Sequence, residues 1–195
     1  MNKIKVLLVE DEPFWQKNLM RDLNRELDIE VVGIVTTKDD AIQASVSVEI
    51  DVILMDIHLS RHYLDGIEAV KVIHGKSQIK IVMLTSSADE EVILRAFEYG
   101  ADNYITKSNY QDIVGAVRQA HHNQSSIHPE VASVLKSGFR DAKKEIKLHS
   151  LTPEERKVYE LKLQGFNKPN IAQQLQKSIY TVKNQLRAIR DKLNK

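Results

Sequence analysis

The amino-acid sequence predicts an α/β doubly wound fold, built on a five-stranded parallel sheet, followed by a second, small all-α domain. Three observations lead to this prediction. Over residues 1–122, apolar runs of strand length alternate with helical periodicity, which is typical of βα units covered on both sheet faces. Over residues 151–195, only helical periodicity recurs. The 195 residues, 42% of them hydrophobic, suffice for one domain of common size and a smaller one.

The five strands are predicted at residues 4–9, 31–35, 51–56, 79–84 and 103–105. After the first strand, Pro13 suits the first turn of a helix whose apolar residues recur every four positions. Capping signals at Ser87 and Ser108, each followed three positions later by Glu or Gln, predict the starts of the last two helices. Gly100 fits a helix stop between them.

The small domain is predicted to contain three helices. Thr152 and Glu155 fit a capping box at the start of the first helix, and Gly165 fits its end. Asn167 and Ser178 are suitable N-caps for the second and third helices.

Charge changes along the chain in step with these segments. Residues 1–122 carry 13 Lys and Arg against 20 Asp and Glu, residues 123–150 carry 5 against 3, and residues 151–195 carry 10 against 4. Because residues 123–150 lack strand character, we predict a linker there, partly helical from Pro129 to Phe139. A basic tail favours an anionic partner such as nucleic acid, although a solvated lysine-rich surface gives similar counts.

The cysteine count and the hydropathy pattern indicate where the protein works. The chain has no cysteine, which excludes disulfides and thiolate metal sites. No signal peptide and no long apolar run is recognisable. We therefore expect a cytoplasmic protein without membrane insertion.

Functional side chains follow four of the predicted strands. Glu10 and Asp11 follow the first strand, Asp56 ends the third, Thr85 follows the fourth and Lys107 follows the fifth. Because parallel strands end at one edge of a sheet, these groups should converge. Carboxylates suit Mg²⁺, and a carboxylate nucleophile can accept a phosphoryl group whose oxygens an ammonium and a hydroxyl contact. Any one of these residues alone could be an ordinary turn former, but their order makes coincidence a poor explanation.

This arrangement resembles the flavodoxin-like receiver domain of two-component response regulators, and the resemblance covers residues 1–122. It implies that Asp56 accepts a phosphoryl group from the phosphohistidine of a sensor histidine kinase. It also implies a Mg²⁺ site formed by Glu10, Asp11, Asp56 and the backbone carbonyl of His58.

The resemblance further implies that Thr85 and Tyr104 form a switch pair, in which the hydroxyl moves toward the phosphoryl group and the ring turns inward. From the residues alone, Tyr104 could equally be a sheet-edge aromatic. Two features depart from the family pattern: the loop over residues 57–66 is longer than usual, and Ser108 stands where a proline is frequent.

The tail resembles the LuxR-type helix-turn-helix domain of NarL/FixJ response regulators. The matching segments are Leu151-Thr152-Pro153-Glu154-Glu155, Gly165-Phe166-Asn167-Lys168 and Thr181-Val182-Lys183-Asn184. The resemblance implies that the helix over residues 178–193 enters the major groove of promoter DNA, where Lys183, Asn184 and Arg187 reach base edges. Phosphate contacts are expected from Thr181, Gln185, Arg190, Lys192 and Lys168.

The chain ends two residues after Leu193, where the family usually has a fourth helix that often takes part in dimerisation. The final helix of the domain at residues 151–195 is therefore expected to be missing. We expect a homodimer at least in the phosphorylated state, with weak or differently arranged contacts.

The leading hypothesis is a phosphorylation-dependent DNA-binding transcriptional regulator, which catalyses only its own phosphoryl transfer and dephosphorylation. A phosphatase would need a carboxylic acid two residues after Asp56, where His58 stands. A flavin-binding electron carrier would need a Ser/Thr/Gly phosphate loop after the first strand, which this chain lacks. A phosphorylated protein-interaction module with weak or no DNA binding remains open.

Overall fold

A computed structural model describes residues 3–59, 64–86, 89–124, 127 and 129–193. The chain forms two compact units, one that ends at Leu135 and one that begins at Lys136. One helix, α6 (Pro129–His149), includes residues of both units. The sequence predicted this helix only as far as Phe139; its charged continuation is helical because Lys, Arg and Glu are good helix formers.

The first unit is built on five parallel strands: β1 (Ile4–Val9), β2 (Ile29–Val35), β3 (Val52–Asp56), β4 (Lys80–Thr85) and β5 (Asn103–Thr106). Their order in the sheet is β2-β1-β3-β4-β5, and all neighbouring pairs are parallel. This confirms the predicted fold class, and each predicted strand agrees with an observed one to within two residues. All five strands consequently end at the same edge.

The helices of the first unit, besides the start of α6, are α1 (Pro13–Leu23), α2 (Lys38–Ser47), α3 (Asp65–His74), α4 (Glu90–Glu98) and α5 (Ile113–His121). Asp89 caps α4 by accepting hydrogen bonds from two backbone N–H groups, whereas the predicted cap, Ser87, lies outside the described residues. The prediction that α5 starts at Ser108 was wrong. A 3-10 helix (Lys107–Asp112) intervenes, and the Ser108 hydroxyl shares a 2.7 Å hydrogen bond with Thr106.

Apolar side chains form a separate buried cluster on each face of the sheet, because successive strand residues point to opposite sides. Val52 and Leu54 belong to the cluster that α1 and α5 cover. Ile53 and Met55 belong to the other, which α2, α3 and α4 cover. The latter cluster also contains Tyr104 and, from the first turns of α6, Val131 and Val134.

The second unit contains the rest of α6 and three further helices: α7 (Pro153–Leu163), α8 (Lys168–Gln174) and α9 (Ile179–Leu193). Their core includes Val158, Ile171, Val182 and Ile189, all nearly inaccessible to solvent. Thr152 forms the predicted capping box with its partner three residues later. Within the described segments, no helix combines the length and the apolar character required to cross a membrane.

Candidate functional site

Three acidic side chains meet at the carboxyl edge of the sheet. Glu10 follows β1 and lies beside Asp56, because Val9 pairs with Met55 in the neighbouring strand. One carboxylate oxygen from each of Glu10, Asp11 and Asp56 lies within 4.8 Å of the other two. Oxygen donors this close together, two of them buried, fit a small divalent cation such as Mg²⁺.

Lys107 brings a positive charge to the same place. Its Nζ lies 2.7 Å from Oε2 of Glu10 and 2.8 Å from Oδ2 of Asp56. The lysine side chain, at the start of the segment after β5, is only 4% exposed. These four side chains, Glu10, Asp11, Asp56 and Lys107, are called the acidic pocket below.

The pKa values of Glu10 and Lys107 in the acidic pocket differ from those of free side chains. Burial raises the pKa of Glu10 from 4.5 to about 7, assisted by the charge of Asp56 and opposed by the hydrogen bond from Lys107. Burial would lower the pKa of Lys107, but its hydrogen bonds to Asp56 and Glu10 outweigh that effect and raise it. The lysine therefore stays charged, and a cation bound by the carboxylates would displace a proton near neutral pH.

The backbone around Asp56 is held by two short-range contacts. The N–H of His58 donates to Oδ1 of Asp56 at 3.3 Å, and the N–H of Gly66 donates to the carbonyl of Ile57 at 3.0 Å. These contacts place the main chain of His58 beside the carboxylate. The part of the long loop at residues 60–63 lies outside the described residues.

The predicted switch residues both lie in the interior. Asp56 pairs with Leu84, so Thr85 is one residue beyond that position on the adjacent strand, and it is fully buried. Tyr104 lies on the edge strand β5, where it pairs with Met83, and it is also fully buried. Their role as a switch stays a prediction.

Sequence reasoning missed three residues that surround the acidic pocket. The Trp15 ring centroid lies 5.0 Å from Nζ of Lys107, and Nε2 of Gln16 donates to the Glu10 carbonyl at 2.7 Å. Gly66 lies directly against the main chain of Asp56. The only signals were that Trp15 is the single tryptophan and that both it and Gln16 fall one helical turn after the acids.

In the second unit, α9 presents a polar face opposite its buried residues. Lys183, Asn184 and Arg187 are exposed, whereas Val182 and Ile189 are buried. An open groove of about 590 Å³ is lined by Lys168, Tyr180, Lys183, Asn184, Leu186, Arg187 and Arg190. Five of the predicted DNA-contacting residues thus line one surface.

The other three residues predicted to contact phosphate are not among those that line this groove. Nζ of Lys192 lies 2.6 Å from Oε2 of Glu155, and the Thr181 hydroxyl shares a 2.8 Å hydrogen bond with the Ser178 hydroxyl. Gln185 is half-buried, with Oε1 turned inward. Each of these side chains therefore already has a contact, or a partly buried position, within the second unit.

Comparison with known proteins identifies similar chains. The model of the response regulator receiver domain matches residues 6–118. The response regulator protein VraR of Staphylococcus epidermidis is 35% identical over 193 residues, which cover 97% of this chain and 90% of the relative. VraR of Staphylococcus aureus is 34% identical over the same length.

Solved structures share the fold at lower identity. The RcsB response regulator of Salmonella typhimurium superposes with a TM-score of 0.67 at 22% identity, covering 100% of this chain and 93% of that one. A complex of RcsB with DNA gives a TM-score of 0.63 at 22% identity, covering 98% and 92% of the two chains.

Proposed function

Because the chain belongs to the response regulator family, we propose that it is a NarL/FixJ-type transcriptional regulator that accepts a phosphoryl group on Asp56 and couples it to promoter binding. The observation that carries this proposal is the position of Lys107, whose Nζ bridges Glu10 and Asp56 at the end of the sheet. A carboxylate nucleophile, a cation and neighbouring acids are the groups that phosphoryl transfer requires.

In the proposed reaction, a carboxylate oxygen of Asp56 attacks the phosphorus of a kinase phosphohistidine. The new O–P bond forms as the N–P bond breaks, and the imidazole nitrogen released takes up a proton. Lys107 neutralises charge on the phosphoryl oxygens, and Thr85 donates a hydrogen bond to one of them. Glu10, Asp11, Asp56 and the His58 carbonyl would hold Mg²⁺, which supplies further neutralisation of those oxygens.

Coupling to the rest of the protein would begin at Thr85 and Tyr104. Movement of the Thr85 hydroxyl toward the phosphoryl group leaves space that the Tyr104 ring fills. Tyr104 lies in the same apolar cluster as Val131 and Val134 of α6. A change in the packing of this ring would therefore be transmitted to the start of α6.

The groove of the second unit supports the DNA-binding half of the proposal. We assign base-edge contacts to Lys183, Asn184 and Arg187, because Lys and Arg suit guanine and Asn suits adenine. Phosphate contacts are assigned to Arg190 and Lys168, which line the groove. Thr181, Gln185 and Lys192, which the sequence also predicted to contact phosphate, already have contacts or partly buried positions within the second unit. A homodimer would place two such helices on paired half-sites. The proposal also includes the domain limits: a receiver at residues 1–122, a linker at 123–150 and a helix-turn-helix domain at 151–195. We place the protein in the cytoplasm.

The proposal is tested by incubating the protein with Mg²⁺ and acetyl phosphate and comparing it with Asp56→Asn. The wild type should form an acid-labile adduct on Asp56 and bind a promoter fragment more tightly afterwards, and the variant should do neither. Absence of an adduct on the wild type would reject the receiver function. An adduct without any DNA binding would instead identify a phosphorylated protein-interaction module.

A further inference from the structure

We propose that Trp15 is a positioning residue for the phosphoryl site, which holds the Lys107 ammonium against the face of its indole ring. This inference rests on the proposed function, since it assigns a role toward the lysine of the acidic pocket. Nζ of Lys107 lies 5.0 Å from the centroid of the Trp15 ring. Tryptophan is the best aromatic partner for a cation within about 6 Å.

The surroundings of Lys107 make this contact stronger than an exposed one. The lysine side chain is 4% exposed, so little water competes for the ammonium. Its Nζ already contacts Oε2 of Glu10 and Oδ2 of Asp56. The indole supplies a third contact, which is neither a carboxylate nor a solvent molecule.

Two aromatic rings lie close to the indole. Phe14 contacts it edge to face with centroids 5.6 Å apart, and the Tyr110 ring lies 5.7 Å away. Tyr110 is anchored to α1, because its hydroxyl donates to the Asp22 carboxylate and lies 3.1 Å from the carbonyl oxygen of Asn18. Since Tyr110 belongs to the 3-10 helix that begins at Lys107, the indole and the lysine are held by the same pair of elements.

The contact with Trp15 affects where the Lys107 ammonium lies during phosphoryl transfer. As the Asp56 carboxylate becomes an acyl phosphate, it loses its own negative charge, and the ammonium must exchange its Oδ2 contact for a phosphoryl oxygen. A lysine held only by Glu10 and Asp56 could follow the remaining carboxylate away from the phosphorus. The Trp15 face keeps the ammonium near Asp56 during the exchange, without competing for its hydrogen-bond donors.

The test compares Trp15→Leu, which keeps apolar volume but removes the π face, with Trp15→Phe, which keeps a weaker one. With Mg²⁺ and saturating acetyl phosphate, Trp15→Leu should form the Asp56 adduct about ten-fold more slowly, equivalent to about 1.4 kcal/mol. Trp15→Phe should recover most of the rate. The control is Tyr99→Leu, which removes another cation–π contact, with Lys71 at 4.8 Å, outside the acidic pocket.

A second measurement requires neither phosphorylation nor a folded variant. In unphosphorylated wild-type protein carrying 13C-labelled lysine, the ε-methylene protons of Lys107 should be shifted upfield by the indole ring current. An unshifted resonance would overturn the proposal, as would equal rates for wild type, Trp15→Leu and Trp15→Phe. If the wild type forms no adduct while the Lys107 resonance is shifted, the proposed function fails and the contact itself stands.

Discussion

Gly66 lies so close to Asp56 that a Cβ atom on it would fall 1.9 Å from the Asp56 carbonyl oxygen. Real Cβ atoms do not approach a backbone oxygen to this distance, so no other residue fits without movement. The close packing of the start of α3 against the end of β3 therefore requires glycine at position 66. Any larger residue at Gly66 must displace the main chain that carries the proposed phosphoacceptor.

Gly66→Ala should lower the free energy of unfolding by about 1 to 3 kcal/mol, because the backbone must move to relieve the clash. It should also slow adduct formation on Asp56. Gly115→Ala is the control, since a Cβ at that exposed helical position meets nothing within 4 Å. That variant should be neutral or more stable by up to about 1 kcal/mol. Equal urea denaturation midpoints for the two variants would contradict the prediction.

Lys107→Met should destabilise the metal-free protein by about 3 to 5 kcal/mol, because Glu10 and Asp56 lose their buried counter-charge. Added Mg²⁺ should restore part of the loss, since it binds only the folded state. Urea denaturation in EDTA and in Mg²⁺ measures both effects. Lys80→Met, which breaks the more exposed pair with Asp102, should cost about 1 kcal/mol or less. Similar losses for the two variants would show that burial does not distinguish the pairs.

The raised pKa of Glu10 predicts a pH dependence of stability without metal. Below pH 4.5 the carboxyl is protonated in both states, whereas between 4.5 and about 7 the native state binds more protons. Relative to Glu10→Gln, the free energy of unfolding of the wild type should therefore fall as pH rises through this window, by roughly 1 to 3 kcal/mol. Denaturation in EDTA at several pH values checks this, and a constant difference between the two proteins would refute it.

Two shortened chains would locate the end of the first unit. A chain of residues 1–135 keeps Val131 and Val134, which are 2% and 8% exposed, whereas a chain of residues 1–122 lacks them. The longer chain should be more stable by about 2 kcal/mol or more, because the shorter one exposes the apolar surface beneath these valines. Val131→Ala in the longer chain should remove about 1 to 3 kcal/mol. Equal stability of the two chains would support the limit at residue 122.

Lys192 and Arg187 should respond differently to substitution. Lys192→Met removes the contact with Glu155, so it should destabilise the second unit and change DNA affinity little. Arg187→Met alters an exposed residue of the groove, so it should weaken DNA binding and leave stability unchanged. Thermal denaturation and salt-matched binding titrations separate the two effects. A greater loss of affinity for Lys192→Met would require that the Glu155 contact breaks on DNA.

Much of the fold could be predicted from sequence because its signals are local. The apolar runs determine the strands, and parallel order then places Asp56, Thr85 and Lys107 at one edge. Choices between neighbouring signals were harder. The cap of α4 was predicted at Ser87, which lies outside the described residues, whereas Asp89, two positions later, accepts the observed capping hydrogen bonds. The limit of α6 was missed because charged residues suit both solvated helices and linkers.

The side chains that brace the acidic pocket could not be predicted in the same way. The contact between Trp15 and Lys107 joins positions that are far apart in sequence, and it depends on how α1 packs beside the turn after β5. Tyr110 reaches back to Asn18 across 92 positions. A helical repeat indicates only that Trp15 faces inward, and it carries no information on which cation lies above the ring.

The position of Lys107 after the last strand also determines when the acidic pocket can exist during synthesis. Glu10, Asp11 and Asp56 emerge first, and their carboxylates remain without the buried cation until β5 and Lys107 have been made. Helix α9 starts at Ile179, 72 residues later, a delay of about 4 to 14 seconds at ordinary elongation rates. A nascent chain can therefore complete its acidic pocket before α9 has been synthesised.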